Sequence, residues 1–233
     1  MLAVELHTHS ETSYDGRDAV ELLLEQAQAV GLDALAVTDH DEISASLDAA
    51  ELAPEYDLIG IPGMEVSTAD GHVLALGVDE LVPSGMAFGE TLDYIRERGG
   101  LAVVPHPYQE SRSGVLAKIS SEELTAADAV EVYNSRLVTG YSNRQARRFA
   151  RTHDMPMTAG SDAHICEMVG QSVTWVDADE PTVSGILDAI REGRTDIEGK
   201  RTPWLVSLRQ AAGGVRRRIA HRLGLDTDEP AGP

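Results

Sequence analysis

Residues 34–41 read Ala34-Leu35-Ala36-Val37-Thr38-Asp39-His40-Asp41. An apolar run with a polar end marks a buried strand, and an acid–imidazole–acid cluster follows it directly. Upstream, Ala19 to Val30 has the spacing of an amphipathic helix ending at Gly31. Downstream, Ile43 to Ala53 reads as a second helix, stopped by Pro54. The same grammar continues in both directions. Val4 to His7, Leu58 to Pro62, Val73 to Val78, Leu101 to Val104, Ala129 to Tyr133, Met157 to Ala159 and Ser172 to Val176 read as strands or strand-like runs. Phe88 to Arg98, Asn143 to Thr152 and Thr182 to Glu192 read as helices. Strand–helix units of this length predict an α/β fold, with parallel strands covered by helices.

The chemistry-bearing residues fall on that map in a pattern. His7 and His9 follow the first strand, and Asp39 and His40 follow the second. Glu65, His106, Asn134, Asp162 and His164 each lie at or just past the end of a strand. In an α/β barrel these ends converge on one face, where active sites form. His72, after the Asp70-Gly71 turn, precedes its strand and is the exception. The imidazoles of His7 and His9, two apart on an extended segment, share a face. Gly63, beside Glu65, permits close approach of the chain. Histidines and carboxylates gathered in one place are what a transition-metal site requires. Asp39 and Asp41 are expected to orient ligands or cap the following helix. Cys166 is expected to be a buried small residue, and His153 and His221 ordinary surface groups. Tyr14 and Tyr108 flank these clusters, either lining a pocket or packing.

Five motifs carry a resemblance: L-H-T-H-S with Y-D-G behind it, A-V-T-D-H-D, G-M-E-V-S, V-P-H-P and G-S-D-A-H. In this order, over roughly residues 4 to 190, the chain resembles the polymerase-and-histidinol-phosphatase (PHP) family of metal-dependent phosphoesterases. It is most similar to the stand-alone branch acting on nucleotides and short RNA. The resemblance implies a distorted (β/α)7 TIM-like barrel over residues 1–199 and a trinuclear metal site. His7, His9, Glu65 and Asp162 would hold the first metal. Glu65 would bridge to a second, held also by His72 and His106. Asp15, His40 and His164 would hold the third. Nine N/O ligands without a thiolate exceed the needs of one tetrahedral zinc. The set fits two to three divalent ions, manganese, zinc or iron, without choosing among them. The expected chemistry centres on Glu65, Asp162 and His164, with a metal-activated hydroxide attacking phosphorus. Arg112 and Arg136 are candidate phosphate clamps, Arg136 the better because it follows a strand end. Asn134 is a candidate metal ligand, substrate contact or strand cap.

Composition narrows the partners. The chain has 233 residues, with 39 Asp plus Glu against 19 Lys plus Arg, net −20. Such a body is a poor platform for duplex DNA; a small phosphorylated molecule, a nucleotide or a short RNA is the expected partner. An acidic surface with only Lys118 and Lys200 as lysines resembles that of halophilic cytoplasmic proteins, or simply of an acidic enzyme. There is no membrane-length apolar run and no secretion signal, so a cytoplasmic location is expected. The single cysteine rules out an intrachain disulfide. Residues 200–223 carry seven Lys or Arg and no acid, with apolar residues at helical spacing. They predict a basic amphipathic helix that docks on the acidic body, on lipid or on another subunit. Residues 224–233 are expected to form a disordered acidic tail.

Two other functions fit the same residues. An amidohydrolase-like barrel hydrolysing C–N or ester bonds also begins with H-x-H. It lacks a lysine placed to become a bridging carbamate, and Glu65 takes that place instead. A non-catalytic metal-binding regulatory module is the other, with nothing in the ligand set looking degraded.

Overall fold

The computed structural model describes residues 1–109, 114–136 and 140–200. Arg112, the basic segment from residue 201, His221 and the acidic tail lie outside the described residues. Ten strands and six helices alternate: β1 Leu2–Thr8, α1 Val20–Val30, β2 Ala34–Val37, α2 Ser44–Leu52, β3 Ile59–Ile61, β4 Gly63–Ser67, β5 His72–Leu76, α3 Phe88–Glu97, β6 Leu101–Val104, α4 Ser121–Leu124, β7 Ala129–Asn134, α5 Tyr141–Thr152, β8 Met157–Gly160, β9 Ser172–Val176, α6 Val183–Arg191 and β10 Thr195–Gly199.

Local chemistry explains the boundaries. In α1, Leu23, Leu24 and Ala27 form the buried stripe, and Gly31 at φ 80° closes the helix by donating to the Ala27 and Gln28 carbonyls. In α3, Phe88, Thr91, Leu92 and Ile95 repeat at the same spacing. The hydroxyl of Thr182 caps α6 by accepting from the Gly185 N–H at 3.1 Å.

The strands form two five-stranded sheets, β10-β9-β1-β2-β3 and β4-β5-β6-β7-β8. The α/β class holds, but the expected (β/α)7 barrel is not confirmed, since no closed barrel is found among the described residues. The expected all-parallel arrangement is corrected. β1, β2 and β3 are parallel, as are β6, β7 and β8, but β9 is antiparallel to β1 and β10, and β5 is antiparallel to β4 and β6. The physical reason is short connections. Four residues join β4 to β5, too few for a crossover helix, so the second strand must turn back.

The sheets meet at two seams. At one, His9 N–H donates to the Ala163 carbonyl at 2.7 Å and Ala163 N–H to the His7 carbonyl at 3.3 Å. At the other, Glu65 N–H donates to the Asp39 carbonyl and Asp41 N–H to the Glu65 carbonyl, both at 3.0 Å. One apolar cluster spans both sheets, with Val4, Leu6, Ala34 and Ala36 from the first, Leu74, Leu76, Leu101 and Val103 from the second, and Ile186 and Ile190 of α6. Separate clusters pack α1 and α2 against the first sheet, and α3 and α5 against the second. Among the described residues no helix is long and apolar enough to cross a membrane.

Candidate metal centre

The strand ends at the two seams bring nine side chains together. His7 and His9 come from the end of β1, Asp15 from the loop after it, and His40 from the end of β2. Glu65 comes from β4, His72 from the start of β5, His106 from beyond β6, and Asp162 and His164 from beyond β8. His72 broke the strand-end pattern in the sequence. Because β5 runs antiparallel, its first residue lies opposite Ser67 at the end of β4, and the exception disappears.

Glu65, almost wholly buried, is the hub. Five imidazoles face its carboxylate: His72 Nδ1 at 2.7 Å, His7 Nε2 at 3.2 Å, His9 Nε2 at 3.3 Å, His40 Nδ1 at 3.4 Å and His106 Nε2 at 3.5 Å. A second focus lies beside it. His164 Nε2 is 2.9 Å from Asp15 Oδ2, and His40 Nε2 is 3.8 Å from Asp15 Oδ1. Ligand atoms of His9, Asp15, His40 and His164 all fall within 4.8 Å of one another, as do those of His7, His106 and Asp162, of His7, His9 and Glu65, and of His40, Glu65 and His72.

Tight turns hold these groups. The loop from Ser10 to Gly16 folds so closely that a Cβ at Gly16 would sit 1.8 Å from the Ser10 carbonyl. Asp39 accepts from both the N–H and the hydroxyl of Ser10, fixing the chain just past His9. Asp41, at φ 54°, accepts from Ser67 N–H. Of the two roles expected for Asp39 and Asp41, both hold loops; neither caps α2, since Glu42 accepts from Ile43 and Ser44 N–H there. His106 and Asp162 have φ of 32° and 50°. Strain of this kind persists where the surroundings over-determine a residue, and it clusters at functional sites.

Several imidazole nitrogens and carboxylate oxygens crowd together at short range. His164 Nδ1 donates to its neighbour Asp162's carbonyl at 2.9 Å, so its Nε2 carries a lone pair. That lone pair faces an Asp15 oxygen at 2.9 Å. Burial, then Arg136 and His9, push the His164 imidazole down to about 3. Burial likewise pushes His40 down to about 4. Against its own burial, which works the other way, Asp15 is held below the usual carboxylate range by His164, His9 and His40. Both ring nitrogens of His9, Nδ1 of His40 and Nδ1 of His106 are buried without a hydrogen-bond partner. Imidazoles with orphaned nitrogens beside carboxylates are the donor set a divalent cation requires. The residues therefore fit metal ions.

Around the ligand set lie groups the sequence reading missed. Glu131, buried in β7, faces His7 Nδ1 at 3.1 Å with one oxygen. With the other it accepts from His106 N–H at 2.9 Å and Asn134 Nδ2 at 3.0 Å. Glu5 accepts from His7 N–H, Ser161 N–H, Gly170 N–H and the Ser161 hydroxyl, and burial pushes its pKa up to about 7. A signal existed: each is the one acid inside an otherwise apolar strand, A-V-E-L and A-V-E-V. Burial of an unpaired carboxylate is expensive, so an acid there implies partners.

Of the substrate candidates, Arg136 reaches the site: Nη1 donates to Asp162 Oδ1 at 3.0 Å and lies 2.7 Å from His164 Nε2. Asn134 is buried, and its amide donates to Glu131 and, at 3.3 Å, to Asp162 Oδ2. Tyr14 stacks on His40, ring centroids 4.8 Å apart. Cys166 is half-buried, and His153 is exposed at the end of α5.

Comparison with known proteins places this geometry. A family model described as PHP-associated matches residues 140–195. An uncharacterized protein of Methanocaldococcus jannaschii is 31% identical over 155 residues, 62% of this chain and 89% of that one. The 3′,5′-nucleoside bisphosphate phosphatase of Chromobacterium violaceum is 26% identical over 94% of this chain and 77% of its own length. Among solved structures, a two-domain Bacteroides vulgatus protein containing a predicted PHP-like metal-dependent phosphoesterase shares the fold. Its TM-score is 0.73 at 22% identity, over 85% of this chain and 65% of that one.

Proposed function

This chain belongs to the PHP family and is a metal-dependent phosphoesterase; from that premise we propose that it hydrolyses a phosphomonoester of a nucleotide or similar small molecule, or a short oligonucleotide. The observation that carries this reading is the convergence of six imidazoles and three carboxylates, with Glu65 at the hub.

His7, His9, Glu65 and Asp162 would hold one cation, Glu65 with His72 and His106 a second, and Asp15, His40 and His164 a third. His9 is also within reach of that third group. Two or three divalent ions bound there, manganese, zinc or iron, supply a water of lowered pKa and neutralise charge on the phosphoryl oxygens. The protein's own residues do the rest. Glu131 accepts from His7 Nδ1–H, which leaves Nε2 free to ligate. Arg136 steadies Asp162 through Nη1. Its other guanidinium donors match a phosphate. Asn134 donates to Asp162 Oδ2.

The amidohydrolase alternative has no lysine to use. Lys118 donates to the Ala69 carbonyl and Lys200 sits beside Glu198, leaving Glu65 in the bridging place. The acidic, lysine-poor composition supports a high-salt setting, so the assay belongs at high ionic strength. Protein loaded with manganese or zinc should release phosphate from a panel of nucleotides and aryl phosphates. His9→Ala and Glu65→Gln should abolish release. Metal-replete protein, verified by elemental analysis and inert across the panel, overturns the reading.

A further inference from the structure

On a chain of net −20, α5 stands apart: Tyr141–Thr152 holds Arg144, Arg147, Arg148 and Arg151 and no acid. None of these four arginines has an ion pair among the described residues, although Arg96, Arg98, Arg136, Arg191 and Arg194 all do. At helical spacing they form a stripe about 10 Å long. One groove beside it, of about 550 Å³ and lined by Arg147 and Arg151, also carries Asp154, Glu192 and Asp196; two others on the Arg144 side carry no acid. Of these two, one, of about 400 Å³, is lined by Tyr108, Tyr141, Arg144, Arg148, Phe149 and His153. The other, of about 380 Å³, is lined by Tyr133, Asn143, Arg144, Arg147, Ile197 and Gly199. Neither lining contains an acidic side chain among the described residues, although 39 acids are spread over this chain.

We propose that the α5 arginine stripe and its two tyrosine-bearing grooves are a binding site for the sugar-phosphate backbone and bases of a single-stranded oligonucleotide. Guanidinium groups suit phosphates, and tyrosine rings offer stacking faces that tolerate any base. A stripe of about 10 Å spans about three phosphates at the ~3.4 Å per-strand spacing of a stacked helix. A lipid surface fits less well, because both faces of the stripe are grooves. The site is tied to the metal centre by covalent and hydrogen-bonded neighbours. Tyr108 follows His106 by two residues, and its carbonyl accepts from the Ser142 hydroxyl. Asn143 holds both the N–H and the carbonyl of Asn134, whose amide reaches Asp162. This deepens the phosphoesterase reading by giving a longer substrate a track, but binding itself needs no metal.

The test is fluorescence anisotropy of a labelled ten-nucleotide oligouridylate and its thymidylate counterpart, with full-length protein in EDTA. It is run at the lowest KCl concentration that preserves the circular-dichroism spectrum. Wild type should bind, and Arg144→Glu with Arg148→Glu should weaken binding at least tenfold with the spectrum unchanged. The milder Arg144→Ala with Arg148→Ala should lower the slope of log affinity against log salt by about 1.4, at about 0.7 per phosphate contact. With metal restored, mononucleotide hydrolysis should be the same in all variants. Equal strand binding by wild type and both variants overturns the proposal. So does wild type that ignores the strands but sediments with phosphatidylglycerol vesicles. Strand binding that needs the arginines, in a protein inert toward every phosphate ester, would overturn the phosphoesterase reading and leave this site standing.

Discussion

Glu131→Gln is nearly isosteric, yet it should disable the centre through a hydrogen bond. Oε2 of Glu131 accepts two donors, His106 N–H and Asn134 Nδ2, while Oε1 faces His7 Nδ1. A glutamine has one acceptor oxygen and one donating NH2. With the oxygen toward the two donors, the NH2 faces His7 Nδ1. That nitrogen must then accept, so the proton moves to Nε2, the atom 3.2 Å from Glu65, and His7 no longer offers a lone pair there. With the amide turned over, His7 keeps its tautomer but two buried donors meet an NH2. Leaving them unsatisfied costs about 1–3 kcal/mol each. The tautomer change is the cheaper outcome. Losing an outer partner of a ligating histidine typically weakens metal affinity 10–100-fold, about 1.4–2.7 kcal/mol. The assay is a competition titration of zinc or manganese against a chromophoric chelator, with metal-free thermal unfolding measured in parallel. Unchanged affinity in a folded Glu131→Gln protein would refute the reasoning, because it would mean that Glu131 does not set the His7 tautomer.

Three further outcomes are expected. Gly160→Ala puts a Cβ 2.3 Å from Glu131 Oε1 and 2.5 Å from His7 Cβ; it should destabilise the fold by about 1–3 kcal/mol, and an unchanged denaturation midpoint would count against that close approach. Cation binding near pH 7 should release protons and strengthen as pH rises. Burial alone would lower His7 and His72, but Glu65 in both cases, and Glu131 and Asp162 for His7, hold them above the usual imidazole value, whereas ligation needs the neutral ring; identical calorimetric enthalpies in two buffers of different ionisation enthalpy would contradict this. Glu5 has a folded pKa of about 7 against 4.5 unfolded, so the folded state retains a proton that the unfolded chain has released. Metal-free stability should then fall as pH rises from 4.5 to 7, by roughly 3 kcal/mol, and Glu5→Gln should flatten that slope; an unaltered slope would show that Glu5 is not the group responsible.

Much of this molecule was legible in its sequence, for identifiable reasons. The β2 run Ala34 to Val37 and the helix ending at Gly31 are written in local chemistry, apolar spacing and a left-handed cap, and both were found within a residue. What was not legible depends on partners distant in the chain. Gly63–Ser67 is a strand because Val73 and its neighbours pair with it antiparallel, and nothing local to G-M-E-V-S says so. Thr195–Gly199 gained strand form by pairing with β9, although Ile197 is its one apolar side chain. The all-parallel expectation failed for the same reason, since strand direction is set by connection length rather than by strand composition. At the site, the nine clustered residues announced themselves by type and by their place after apolar runs. Glu131 did not, because one glutamate within a strand carries no spacing pattern, and only His7, 124 residues away, reveals its task.

The two seams explain why fold and chemistry are inseparable here. His9 N–H and Ala163 N–H are the bonds that join β1 to the chain beyond β8, and Ala163 stands between Asp162 and His164. At the other seam, Glu65 N–H and Asp41 N–H join β4 to the end of β2 on either side of His40. A slip of one residue at either seam would turn the neighbouring side chains to the opposite face, carrying Asp162 and His164, or Glu65, out of reach of the others. Register at the seams is therefore also ligand geometry. The same crowding leaves five imidazoles around one carboxylate that has about four lone-pair sites, and three of those histidines have buried nitrogens without partners. Burying that many unsatisfied polar groups works against folding. Divalent cations at the seams would relieve this, so metal binding should contribute to holding the two sheets together as well as to catalysis.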